Sequence, residues 1–179
     1  MNVPLDPRYL ERLTFQAYPH PPQIGGVQIV RLRKHRSLEG DFMEYLRLAD
    51  GRLQGIEADF EVRQVSIARA VPGRVNAFHV HPKRLQDEWW TVVQGTLLVW
   101  LADVRQDSPT VGVLRPCVLS DEEPVMLHIP AGVAHGYKAG LEGAMLVYAA
   151  NDTFDASDPN EGRLPWDCFG AELWEADRG

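Results

Sequence analysis

The chain has little of what marks membrane, zinc-finger and nucleic-acid-binding proteins. Its 179 residues include only two cysteines, Cys117 and Cys168, which are far apart and form no CxxC pair. A zinc knuckle or redox motif is therefore not expected. We expect instead two free thiols in a reducing cytoplasm. The 18 Lys and Arg residues against 25 Asp and Glu give a net charge of −7, which argues against nucleic acid or an anionic membrane as the main partner. No apolar run reaches membrane-spanning length and no secretory signal opens the chain.

Long helical patterns are also scarce. Only the Asp6-Pro7 pair looks like a helix start, and it predicts a short helix through about Tyr18. Further along, short runs such as FEVRQVSIARAV, TLLVWLADV and AMLVYAA are rich in β-branched and aromatic residues and are separated by turn residues. This pattern predicts an all-β sandwich or barrel. We assign residues 1–24 to an N-terminal helix and loop and residues 25–179 to a single β-barrel domain.

The stretch FHVHPKRLQDEWW, residues 78–90, carries the clearest chemical signal. In a strand, His79 and His81 project to the same face, and Phe78 and Val80 project to the other. Two adjacent imidazoles inside a barrel are costly to bury unless a partner engages their nitrogens. A metal ion or a hydrogen-bonded catalytic site would provide that partner.

Two motifs resemble those of the cupins. The first contains Gly73, His79, His81, Glu88 and Gly95, and the second, IPAGVAH, contains Pro130, Gly132 and His135. The resemblance implies a double-stranded β-helix, or jelly-roll barrel, in which Gly95 lies in the turn between two adjacent strands. It also implies that His79, His81, Glu88 and His135 bind a divalent metal.

Three imidazoles and one carboxylate suit a divalent transition metal such as Zn, Mn, Fe or Ni. Because no cysteine is among these ligands, a closed structural zinc site is not expected. Two alternatives remain open from the residues alone. The same side chains would also serve in metal-free acid–base catalysis, or pack inertly in the core.

A longer resemblance covers roughly residues 25–174. Segments including FEVRQVSIARAVPGRVNAFH, ADVRQDSPTVG, IPAGVAHGY and LVYAANDTF follow in the order and spacing of the dTDP-4-dehydrorhamnose 3,5-epimerase family. The resemblance implies a homodimer that acts on a deoxysugar attached to a nucleoside diphosphate. It places His79 on the family's catalytic base, Tyr148 on its acid, and His135 on a second active-site histidine.

Several family residues have no counterpart here. The arginine three residues before the base is replaced by Asn76, the active-site lysine by Glu88, and an arginine that binds diphosphate by Glu39. The aspartate that orients the base is not found in the C-terminal segment either. The sequence leaves open whether Arg63, Arg69 or Arg74 binds phosphate instead.

These observations support three hypotheses. The first is an epimerase acting on a keto-deoxysugar or similar carbohydrate, with a bound metal as Lewis acid in place of the lost cations. In that case a ligated His79 would leave proton transfer to Tyr148 or to a metal-bound water. The second is a metal-dependent cupin of another class, either a dioxygenase or a small-molecule isomerase. The third is a sugar-binding cupin without catalysis.

Overall fold

The computed structural model describes residues 3–176 and confirms the predicted all-β jelly-roll fold. Its helical parts are one α-helix, α1 (Pro7–Leu10), and one 3₁₀ turn (Ala171–Trp174). The strands are β1 (Gln28–Arg31), β2 (Lys34–Ser37), β3 (Gly40–Met43), β4 (Leu48–Ala49), β5 (Arg52–Leu53), β6 (Gln64–Ala70), β7 (Val75–Val80), β8 (Glu88–Asp103), β9 (Leu114–Ser120), β10 (Val125–Ile129), β11 (Val133–Ala150) and β12 (Gly162–Arg163). No helix within residues 3–176 is long and apolar enough to cross a membrane.

The two long strands, β8 and β11, run antiparallel to each other and build the barrel. The first half of β8 and the second half of β11 lie in one layer, flanked by β10 and β1 on one side and by β6 on the other. The remaining halves lie in the opposite layer with β9, β7 and β12. Both strands therefore pass from one layer to the other, and the core fills the space between the layers.

The prediction that Gly95 lies in a turn between two strands is wrong, because Gly95 lies inside β8. It marks the point where β8 bends between the layers, and the β8–β11 register shifts beside it. The backbone of Gly95 has φ +74°, and a Cβ atom there would lie 2.2 Å from the carbonyl oxygen of Gly143. A bend of this kind in a continuous strand uses the same residue type as a turn.

Replacing Gly95 with alanine is expected to destabilise the protein by about 3 kcal/mol, since it combines left-handed backbone strain with a backbone clash. Gly112→Ala is the matched control. Gly112 also has a positive φ, +83°, but nothing lies within 4 Å of its added Cβ. Urea denaturation of both variants measures the difference. Equal losses of stability would show that the close approach of Gly143 is unimportant.

The core between the layers is apolar and closely packed. Along β8, Leu97, Val99 and Leu101 alternate with outward-facing residues and are completely buried. They pack with buried side chains from β10 and β11, including Leu127 and Leu146. This packing gives the inward-facing polar residues of the same strands a rigid support.

The N-terminal helix is shorter than predicted and ends at Leu10 rather than near Tyr18. Asp6 caps it as expected, with its carboxylate accepting a hydrogen bond from the backbone N–H of Arg8 at 2.9 Å. None of its residues is buried, and a helix without tertiary packing gains too little to extend. The chain enters the core at Ile24, which is buried, and then pairs as β1 with β10.

The outer face of β7 is covered by the C-terminal segment. Phe78 is completely buried and packs edge-on against Phe169, with ring centres 4.9 Å apart, and against Trp174 at 5.4 Å. The backbone of Phe78 also exchanges hydrogen bonds with Leu164. Because Phe78 faces outward, His79 and His81 face the barrel interior, as the strand alternation predicts.

Candidate active site

A pocket of about 350 Å³ opens into the barrel between β6, β7, β8 and β11. Most of the residues that line it are polar types, and Trp90 and Leu146 are among the apolar ones. All the site residues predicted from the sequence line it, namely His79, His81, Glu88, His135 and Tyr148. Residues from the segment that follows β11 close one side, including Asp152, Phe154, Asn160 and Glu161.

Strand pairing brings the histidines together. His135 of β11 is the direct partner of His79 in β7, so the two imidazoles are neighbours on the inner face. Glu88 begins β8 and is 4% exposed, which places its carboxylate at the bottom of the pocket. Residues far apart in the chain thus meet because β7 and β8 both pair with β11.

His81, Glu88 and His135 form a compact group whose potential ligand atoms all lie within 4.8 Å of one another. The Glu88 carboxylate lies 3.1 Å from Nε2 of His81 and 3.7 Å from Nε2 of His135. Ligands that each lie about 2.1 Å from a shared ion are about 3–3.5 Å apart. The spacing therefore fits a divalent metal.

The second nitrogen of each imidazole in this group is already engaged. Nδ1 of His81 donates to the carbonyl of Asn160 at 2.7 Å, and Nδ1 of His135 donates to the carbonyl of Val133 at 3.0 Å. These bonds fix the tautomers so that both Nε2 atoms face the Glu88 carboxylate. Two nitrogen lone pairs facing an anion repel it unless a cation or a proton lies between them. The donor set therefore fits either a bound cation or a proton on Nε2 of His81, which would donate to Glu88 across 3.1 Å.

Glu88 is ionised in this environment. Burial opposes its charge, but the hydrogen bond with His81 and the neighbouring imidazoles outweigh that penalty and lower its pKa to about 2. Trp90 Nε1 and Gln86 Nε2 also donate to its two oxygens, at 2.6 Å and 2.9 Å. Conversely, burial lowers the pKa of His81, but the hydrogen bond and charge of Glu88 leave it raised. The anion at the bottom of the pocket attracts positive charge.

His79 lies outside this group and has different partners. Its Nδ1 is 3.1 Å from the carboxylate of Glu161, and its Nε2 is 3.0 Å from the side-chain amide oxygen of Asn76. Burial, the nearby His135 and then Arg163 lower the pKa of His79 to about 4, so the ring is neutral at pH 7. Both partners are acceptors, and a neutral imidazole can donate to only one of them. With Nδ1–H on Glu161, Nε2 keeps its lone pair but faces the Asn76 oxygen, so His79 would act as a general base only after a substrate displaces that contact.

Sequence reasoning did not identify Glu161 as a residue of this site. Glu161 lies in the turn-rich segment after β11, where no periodic pattern indicates which side chains turn inward. The structure places it next to His79 because β12 pairs with β7, with Arg163 opposite His79. The interaction expected of the missing base-orienting aspartate is therefore made by a glutamate of this segment.

A network of hydrogen bonds holds this segment against the pocket. The Asn160 side chain accepts from the backbone N–H groups of Lys83 and Arg84 and donates to the carbonyl of Arg84. The guanidinium of Arg84 binds Asp152 and Asp158, each at 2.9 Å. These contacts fix the wall that carries Glu161 relative to the strand that carries His79.

Tyr148 reaches the pocket from the second half of β11. Its strand neighbours are Ser66 of β6 and Trp90 of β8, and its ring centre lies 6.3 Å from that of Trp90. Burial raises the pKa of Tyr148, so its hydroxyl keeps its proton at neutral pH. A protonated phenol in the same pocket as a neutral imidazole provides an acid beside a base.

Comparison with known proteins identifies the family. The sequence model of dTDP-4-dehydrorhamnose 3,5-epimerase matches residues 21–172. The chain belongs to this family. The resemblance drawn from the sequence segments is thereby confirmed.

Individual relatives agree with the assignment. The spore coat polysaccharide biosynthesis protein SpsL of Bacillus subtilis is 34% identical over 145 residues, which cover 80% of this chain and 91% of that protein. The probable low-salt glycan biosynthesis epimerase Agl13 of Haloferax volcanii is 31% identical over 147 residues, covering 82% and 90%. A dTDP sugar isomerase from Desulfovibrio desulfuricans G20 superposes with a TM-score of 0.69 at 25% identity, covering 89% of this chain and 94% of that one.

A further solved structure holds a sugar nucleotide. It is the 3′-monoepimerase ChmJ of Streptomyces bikiniensis in complex with dTDP-quinovose, with a TM-score of 0.68 at 24% identity, covering 82% of this chain and 73% of that one. At this identity the likeness to ChmJ concerns the fold. It places the present chain among barrels with the same architecture.

Proposed function

We propose that this protein epimerises a nucleotide-linked 4-keto-6-deoxysugar, with His79 as the general base and Tyr148 as the general acid. The proposal is carried by the pairing of a neutral His79 with Glu161 at 3.1 Å, inside a pocket that Tyr148 also lines. Membership of the epimerase family and the dTDP-sugars named for its relatives supply the substrate class.

In this mechanism, Nε2 of His79 removes the proton from a carbon next to the keto group. Glu161 holds the ring in the required tautomer and stabilises the imidazolium that forms. Negative charge then moves onto the keto oxygen as the enolate develops. The Tyr148 hydroxyl donates a proton to the opposite face of the same carbon, which inverts its configuration, and the pocket walls limit access of water.

The enolate needs a positive partner, and the position of the family's lysine carries Glu88 instead. We propose that His81, Glu88 and His135 hold a divalent transition metal beside the reacting carbonyl. Bound there, the ion would act as a Lewis acid on the keto oxygen. This arrangement needs only three protein ligands, so His79 stays free to act as the base. Their buried carboxylate and fixed tautomers support the proposal.

Solvent exchange tests the proposed reaction. The protein is incubated in heavy water with dTDP-4-keto-6-deoxyglucose, and the sugar is followed by NMR and mass spectrometry. Epimerisation by proton removal predicts deuterium at a carbon adjacent to the keto group, together with the inverted sugar. Unchanged substrate with no deuterium above the enzyme-free rate would contradict the proposal and favour a binding protein or another cupin chemistry.

We also propose that the protein is a cytoplasmic homodimer. Val65 and Ile67 lie on the outer face of β6 and are 53% and 70% exposed, and β6 pairs only with β11 within residues 3–176. An open edge beside an apolar face favours association with a second copy. Both cysteines are free thiols, as is usual in a reducing compartment. The mass of the protein in solution, measured by sedimentation, tests the dimer.

A further inference from the structure

The pocket is poor in positive charge for a protein of this proposed function. Three carboxylates line it, from Glu88, Asp152 and Glu161, whereas no lysine or arginine does so among the residues that the structure describes. A nucleoside diphosphate carries two phosphates that are normally bound by arginine or lysine. The cation that meets the diphosphate must therefore lie at the edge of the pocket.

The arginines suggested by the sequence are poorly placed for this role. Arg63 and Arg69 alternate along the chain with the inward-facing residues Gln64 and Ala68, so they project away from the pocket. Arg74 lies before β7 and is exposed. Arg84 is closer, but all three of its guanidinium nitrogens already donate, one to Asp152 and two to Asp158.

Arg163 is placed differently from all of these. It lies in β12 directly opposite His79, and its guanidinium donates to two residues of the pocket wall. One bond goes to the Asn76 amide oxygen at 3.2 Å and the other to the Glu161 carboxylate at 2.8 Å. A guanidinium has five N–H donors, and the Arg163 side chain is 56% exposed. Donors therefore remain for a ligand at the pocket mouth.

We propose that Arg163 binds the diphosphate of the substrate and so positions the sugar against His79. The inference rests on the proposed function and assigns its phosphate-binding residue. The contact with Asn76 supports it, because the Asn76 amide oxygen also lies 3.0 Å from Nε2 of His79 and so places the guanidinium next to the proposed base. A planar guanidinium can grip phosphate oxygens through two parallel hydrogen bonds, which also fixes the direction in which the sugar enters.

The chain contains a closely matched control. Arg63 also pairs with a glutamate two residues earlier, Glu61, at 3.4 Å, and it is 55% exposed. Replacing either arginine with glutamine removes one exposed cation and one local ion pair. Of these two side chains, that of Arg163 hydrogen-bonds to residues of the pocket wall, whereas that of Arg63 bonds to Glu61 outside it. A difference between the two variants therefore reports the position of the charge rather than its loss.

Binding of dTDP without a sugar is measured by titration calorimetry on wild type, Arg163→Gln, Arg163→Lys and Arg63→Gln. Loss of a charge-assisted contact predicts dTDP binding about ten- to a hundredfold weaker in Arg163→Gln. A smaller loss is expected in Arg163→Lys and none in Arg63→Gln. In steady-state kinetics, Arg163→Gln should raise the KM for the sugar nucleotide and change kcat by less than threefold.

Two results would overturn this assignment. The first is dTDP binding by Arg163→Gln within twofold of Arg63→Gln. The second is a fall in kcat with KM unchanged, which would mean that Arg163 acts through Glu161 and His79 rather than on the phosphates. The calorimetric result is independent of turnover. Weakened dTDP binding in a protein that exchanges no deuterium would uphold the role of Arg163 while refuting the epimerase.

Discussion

Replacing His79 with glutamine is expected to lower kcat about a thousandfold, the usual effect of removing a positioned general base. Glutamine is similar in size and polar, so it retains a hydrogen-bonding group between Glu161 and Asn76, but it cannot accept the substrate proton. The binding of dTDP should change less than threefold, because the nucleotide is bound elsewhere. Steady-state kinetics and calorimetry on the same preparation provide both values.

His35→Gln is the control for this variant. His35 is an exposed histidine on the β2–β3 hairpin, which forms a separate two-stranded sheet and does not line the pocket. It should behave as wild type. If His79→Gln retained a tenth or more of wild-type kcat, another group would have to remove the proton. Tyr148 or a metal-bound water would then be the base, as the sequence alone allowed.

The second large effect is expected at Glu88. Changing Glu88 to glutamine keeps the shape of the side chain and an acceptor for the Trp90 N–H, but it removes the negative charge that faces both imidazoles. We expect the metal content to fall from about one ion per chain to near zero. We also expect kcat to fall by about a hundredfold or more, the loss typical when charge stabilisation of an oxyanion is removed.

Metal content is measured by mass spectrometry on protein purified without chelator and on protein reloaded with each candidate ion. His81→Ala should give the same loss of metal, and Glu122→Gln, an exposed carboxylate outside the pocket, should give none. If Glu88→Gln contained as much metal as the wild-type protein, Glu88 would not be a metal ligand. Near-ultraviolet circular dichroism checks that the buried substitution leaves the core packed.

The part of the site that was predictable lies on regular strands. Alternation in β7 predicts that His79 and His81 face inward together and that Phe78 faces outward, because side chains in a strand repeat every two residues. The motif resemblance adds Glu88 and His135, whose meeting depends on pairing across β11. The strand-rich pattern likewise predicted the all-β barrel.

The part that was not predictable depends on long-range pairing of irregular segments. Glu161 and Arg163 belong to a turn-rich segment about 80 positions beyond His79, and only the two-residue strand β12 brings them to the site. No periodicity marks so short a strand. For the same reason, the sequence does not show that His79 stands apart from the other three proposed metal ligands. Its separate position depends on the contact with Glu161.

Gly95 and α1 show two further limits. A glycine with positive φ marks a sharp change of direction, and the sequence does not distinguish a turn between strands from a bend within one strand. The predicted helix start at Asp6 is confirmed, but the length of the helix depends on packing that the exposed N-terminal segment does not make.

The separation of roles within the pocket is tested most directly by the metal content of His79→Gln. With the base on His79 and the cation on His81, Glu88 and His135, this variant should contain as much metal as wild type although its catalysis is lost. Loss of the metal together with His79 would place that histidine among the ligands and contradict the account. A wild-type protein that binds no divalent ion after loading would contradict it as well.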